Sequence, residues 1–118
     1  FAFCSADERS IILKALCDAD PRDARIARNP DAVAAMVNKA RQLGYVADWR
    51  GRINPYRTMA VPLFDAEPGR SALGAIIIST YRSVLSERET AERYLAPLTE
   101  LAARIVAELS RQLSNLDL

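Results

Sequence analysis

The sequence predicts an α+β domain, an antiparallel sheet flanked by helices, and three observations carry that reading. Residues 56–81, YRTMAVPLFDAEPGRSALGAIIISTY, hold two apolar runs rich in β-branched residues with a Pro68-Gly69 turn signal between them. Apolar positions recur at helical spacing on both sides of that hairpin. Each helical stretch also opens on its own capping signal. Taken in order, the elements read helix, helix, strand, hairpin, long helix, which describes helices packed on one antiparallel sheet.

Ser5 followed by Ala-Asp-Glu fits a capping box, in which the Ser5 hydroxyl and the Glu8 carboxylate satisfy free amides of a first turn. Ile12, Leu13, Leu16 and Cys17 then give one buried stripe. The polar stretch 18–28 is expected to be a loop, with Pro21 as its breaker. Asn29-Pro30 starts a second helix, whose Val33, Met36, Val37, Ala40 and Leu43 share a face and whose end is set by Gly44. Lys39 and Arg41 complement the helix dipole near that end and read as a solvated face.

From Tyr45 to Trp49 the pattern turns extended, giving a strand before the loop RGRINP. In the hairpin, alternation places Arg57, Met59, Val61 and Leu63 with Ile76, Ile78 and Thr80 on a bulky face. Thr58, Ala60, Pro62 and Phe64 fall with Ala75, Ile77, Ser79 and Tyr81 on the other, smaller and partly hydroxylated. Ser86 and Glu89 form a further capping box. Pro97 is expected to end that short helix near Tyr94, with a kink or a restart that puts Pro97 in the first turn of a stretch carrying Leu98, Leu101, Ala102, Ile105, Val106, Leu109 and Leu113 as a wide stripe. Three strands leave two open edges, so the sheet reads as incomplete.

At 118 residues, half of them hydrophobic, the chain is one domain by size, and its net charge of +1 supplies no field that would draw it to nucleic acid. It has no membrane-length apolar run and no signal-peptide layout, which reads as cytoplasmic. Histidine is absent and the two cysteines form no C-x-x-C pair, which removes the commonest zinc sites and every His-based triad. Cys4 and Cys17 are expected to be reduced, packed thiols. The chain opens on Phe1 without a methionine, as a piece of a longer protein would.

None of the phosphate-loop, dinucleotide, nucleophile-elbow or zincin motifs occurs, so no cofactor and no enzyme activity is expected. What remains is a polar cluster: Asp48 beside Trp49, Thr58 on the first hairpin strand and Ser79 on the second, with Ala60 and Ile77 as apolar walls. A carboxylate and two hydroxyls can orient a small polar ligand, but they supply no activated nucleophile. Each member has a structural alternative. Asp48 could satisfy a turn amide, Thr58 and Ser79 could bond to backbone, Trp49 could be core or interface, and Arg52 and Arg57 could be solvated instead of attracting a carboxylate.

Several of these residues fall in recognisable runs. Arg41, Gly44, Tyr45 and Asp48 make an R-x-x-G-Y-x-x-D segment, Ala60 through Asp65 reads A-x-P-x-F-D, and a small-apolar strand ends at Ser79. Together with the AFCSADERS opening, the Ser86 start and the L-A-P-L run, they resemble the effector-binding domain of IclR-type bacterial transcriptional regulators. The resemblance implies a GAF-like sheet that binds a small metabolite, often an organic or aromatic acid, with contacts at Asp48, Thr58, Ile77 and Ser79. Thr58 stands where some members have cysteine and Ile77 where many have serine, which implies a less polar pocket.

By the same resemblance the chain is the C-terminal part of that domain, lacking the strands and helices that would precede Phe1. The winged helix-turn-helix domain that binds the operator is absent from residues 1–118, so DNA would be reached only through it, in a homodimer or homotetramer. The alternative is an interaction module, whose sheet edges and last helix hold an oligomer together without a ligand. A small enzyme ranks third.

Overall fold

A computed structural model describes residues 1–47, 55–64 and 71–116. Helix α1 spans Ala6–Cys17, and its Ser5–Glu8 capping box forms with both hydrogen bonds at 3.2 Å. Its stripe is shallower than the periodicity suggests. None of its residues is fully buried, Ile11 is 70% exposed, and Leu13, Leu16 and Cys17 are only half-buried. The expected loop at 18–28 is instead largely a helix, α2, Pro21–Ala27. Asp20 accepts from the Arg22 amide as its N-cap and Pro21 takes the first turn, the same Asx-Pro signal that opens α3.

Helix α3, Pro30–Leu43, begins on the Asn29 side chain and buries Val33, Val37 and Ala40. It stops at Gly44, which sits in the left-handed region at φ 78° with its N–H bonded to the Ala40 carbonyl. Strand β1 is Val46–Ala47 among the described residues; Asp48, Trp49, the 50–54 loop with Arg52, and the Pro68-Gly69 turn lie outside them. Strands β2, Tyr56–Phe64, and β3, Ala72–Tyr81, pair antiparallel with Thr58 opposite Ser79 and Ala60 opposite Ile77. The sheet runs in the order β1-β2-β3.

Helix α4 runs unbroken from Glu87 to Leu116, so Pro97 does not end it. Proline removes one amide donor and crowds the turn before it, but Pro97 and Arg93, four residues back, are both exposed, so water can take the freed carbonyl. Of the expected stripe, Leu98 and Ala102 are buried, while Leu101, Leu109 and Leu113 are 43, 42 and 63% exposed. The sheet reaches only the first half of the helix.

Among the described residues two apolar clusters form, one on each face of the sheet. Met59, Val61, Leu98 and Ala102 lock α4 onto one face, with Ile76, Ile78 and Tyr45 against them. On the other face Ala2, Val33, Val37 and Ala40 gather Phe1, Phe3, Leu13 and Val46 at the β1 side. Phe3 meets the Phe64 ring edge-on at 5.0 Å, and the Phe3 carbonyl accepts the Ala72 amide. The helical subdomain therefore covers the β1 side of this face and leaves Ile77 and Ser79 exposed on the β3 side.

Candidate functional site

Strand alternation and register together decide what the second face presents. Opposite residues in an antiparallel pair lie about 5 Å apart at Cβ, so Thr58 with Ser79 and Ala60 with Ile77 make one contiguous four-residue patch. Thr58 and Ala60 are half-buried, Ser79 is exposed, and Ile77 is 61% exposed. The hydroxyls of Thr90, Thr99 and Ser114 donate to the carbonyls four residues back. Neither Thr58 nor Ser79 makes such a bond among the described residues. Both hydroxyls are thus open to donate and accept outward.

The patch ends in an aromatic pair that the motif reading did not single out. Tyr56 faces Tyr81 across the strands with ring centroids 5.2 Å apart, on the same side as Thr58 and Ser79. Alternation already places Tyr81 on this face, and carrying it back to Tyr56 at the start of the hairpin completes the pair. Arg57, considered as a carboxylate attractor, has the opposite parity, and its Nε reaches the Leu85 carbonyl at 3.4 Å. It does not join the patch. Asp48 and Arg52 fall outside the described residues.

A cavity of about 490 Å³ lies beside the patch, between α3, β1 and the N-terminal segment. Its wall is mainly apolar, from Phe1, Met36, Val37, Ala40, Val46 and Ala60, with Lys39 and Glu87 among the residues that line it. Of the four patch residues only Ala60 lines it. The space exists because Ala2, Ala40, Ala47 and Ala60 are too small to fill it. Sequence periodicity marks a helix face as apolar without saying how completely it is filled.

No trio of acidic or cysteine side chains among the described residues could hold a metal ion. Among the described residues the charged groups whose ionisation is clearly perturbed lie elsewhere, on exposed surface: the Asp20 carboxylate holds the Arg22 guanidinium charged, and the Arg111 hydrogen bond keeps the Glu108 carboxyl below its usual range. The patch offers hydrogen-bonding hydroxyls, aliphatic contacts and aromatic rings, a composition for holding a molecule.

No protein-family model matches the chain. Solved structures do match, and they define the class first: an α+β domain of the kind found in the C-terminal halves of bacterial transcriptional regulators. The C-terminal domain of the E. coli transcriptional regulator KdgR superposes with a TM-score of 0.68 at 26% identity, over 91% of this chain and 63% of that one. An IclR transcriptional regulator from Alicyclobacillus acidocaldarius gives 0.68 at 18% identity, over 91% and 41%. A Rhodococcus sp. RHA1 protein assigned as a transcriptional regulator gives 0.70 at 24%, over 93% and 43%.

The resemblance read from the motifs therefore holds at the level of structure, and the chain has the fold of the IclR-type C-terminal domain. It spans about two fifths of the two longer regulators. No helix among the described residues is long and apolar enough to cross a membrane.

Proposed function

We propose that this chain is the C-terminal part of an effector-binding domain of an IclR-type regulator, and that the Thr58, Ala60, Ile77 and Ser79 patch is the floor of its effector site. The observation that carries this reading is the register: two hydroxyls without hydrogen-bond partners among the described residues stand directly opposite each other on the face away from α4. The ligand class is an organic or aromatic acid. The hydroxyls hydrogen-bond its polar end, Ile77 and Ala60 contact its carbon skeleton, and Tyr56 and Tyr81 offer ring faces on which an aromatic acid stacks. Asp48 is assigned to the rim.

In the whole regulator, ligand binding shifts the population between arrangements of homodimers or homotetramers, and a separate winged helix-turn-helix domain meets DNA. The protein works in the cytoplasm and performs no catalysis. A thermal-shift panel of organic and aromatic acids tests the reading. At least one acid is expected to raise the melting temperature, and Ser79→Ala or Asp48→Ala is expected to remove most of that rise. Equal rises in both variants would overturn the site.

A second reading has its own support. Leu109, Leu113 and Leu116 on α4 and Leu73 on β3 are exposed, as an interface would require. If the chain is an interaction module, it self-associates with no acid effect on the assembly.

A further inference from the structure

We propose that Arg9 on α1 and Arg41 on α3 form an anion site, separate from the sheet face, that takes a phosphate group. Both guanidinium groups converge on one atom, the carbonyl oxygen of Ala2. Arg9 Nη2 donates to it at 3.3 Å and Arg41 Nε at 3.0 Å. The two donor nitrogens are therefore no further apart than the sum of those bonds. Among the described residues neither arginine has a carboxylate within ion-pairing distance, although Arg22, Arg88 and Arg111 each have one. Two positive charges are held together with only a neutral carbonyl between them.

Arg9 is held in place before any ligand arrives, and Arg41, on the exposed side, is tied to the same carbonyl. Arg9 lies over the Phe1 ring with its central carbon 5.5 Å from the ring centroid, and its Nε is buried without a hydrogen-bond partner. Ala2, the residue that both arginines grip, is 6% exposed in the core cluster with Val33, Val37 and Ala40. A guanidinium carries five N–H donors and each of these uses one; with the buried Nε of Arg9 also out of a ligand's reach, the pair still has several donors to offer. A carboxylate has two oxygens and satisfies one such fork, whereas a phosphate group has three peripheral oxygens and can bridge two forks while offsetting their mutual repulsion. The stoichiometry of donors favours phosphate.

Calorimetric titration of inorganic phosphate at low ionic strength tests the site, with circular dichroism confirming the fold of each variant. Saturable binding is expected in the native protein, weakened at least tenfold by Arg41→Gln and by Arg9→Gln, and weakened less by Arg41→Lys, which keeps the charge without the fork. Arg104→Gln, on exposed α4, should leave it unchanged. Glycerol phosphate should compete and acetate should not. Should Arg9→Gln fail to fold, the two Arg41 variants decide the matter. Absence of saturable phosphate binding, binding in Arg41→Gln within twofold of native, or equal competition by acetate would each overturn the proposal. None of these results touches Thr58 or Ser79, so the sheet-face reading stands or falls separately.

Discussion

Met59 is the side chain on which sheet and helix close, 1% exposed between β2 and α4. Truncation to alanine removes buried volume that rigid neighbours cannot refill, so Met59→Ala is expected to cost about 2–5 kcal/mol in denaturant unfolding. Gly44 is different, since a Cβ there would meet nothing within 4 Å. The cost of Gly44→Ala is purely that of the left-handed backbone, about 1–2 kcal/mol, and the same measurement reads it. At Glu108 the hydrogen bond from Arg111, then that from Gln112, lowers the carboxyl's pKa from the ordinary 4.5. A depressed folded pKa adds stability above the ordinary carboxylate range and loses it as pH falls through the folded value. Both partners are exposed, so the effect is small: Arg111→Gln should lower the melting temperature slightly at pH 7 and not at pH 2. Arg41 shows where residue-level reading stops. Its position near a helix end is legible in sequence, but its bond to Ala2 joins residues 39 positions apart, and no local pattern encodes that.

Element by element, local chemistry proved the most readable. The capping boxes at Ser5 and Ser86 and the Gly44 stop formed as their residue types require. Alternation in the hairpin sorted the two faces as the structure has them. The α1 and α4 stripes are less buried than their periodicity suggests, and two further departures concern proline. Pro21 in a polar stretch suggests a breaker, but Asp20 before it makes it a helix start, and removing that cap by Asp20→Ala is expected to cost about 1 kcal/mol by thermal denaturation. Pro97 alone suggests an end with a kink or restart, yet packing of Leu98 and Ala102 on Met59 and Val61 holds the helix across it. Tertiary contact overrode local preference there. Pro97→Ala is accordingly expected to stabilise the protein by about 2 kcal/mol, the interior-proline penalty of about 3 kcal/mol less an unfolded-chain entropy effect of up to about 1 kcal/mol. No gain, or a loss, would mean that the turn at Pro97 carries no strain.

Across the whole molecule the division of labour follows from which face each helix covers. Helix α4 seals one side of the sheet, the α1–α3 subdomain covers part of the other, and the hydroxyl patch lies on what is left. Fold class and the membership of the patch were legible because strand parity is a two-residue rule. The apolar cavity and the arginine pair follow no such local rule, since the first depends on unfilled volume and the second on distant contacts. Strand β3 ends the sheet order and exposes Leu73, Ile77 and Tyr81, so an edge open to pairing is expected to give concentration-dependent association in sedimentation equilibrium, reduced by Leu73→Lys. On the proposed function, the open face binds an acid through Thr58 and Ser79. The most direct measurement of that binding is a calorimetric titration of the acid with the largest thermal shift into native protein and into a folded Thr58→Val, Ser79→Ala double variant. Binding weakened at least tenfold in the variant is the predicted result; affinity equal to that of the native protein would contradict it.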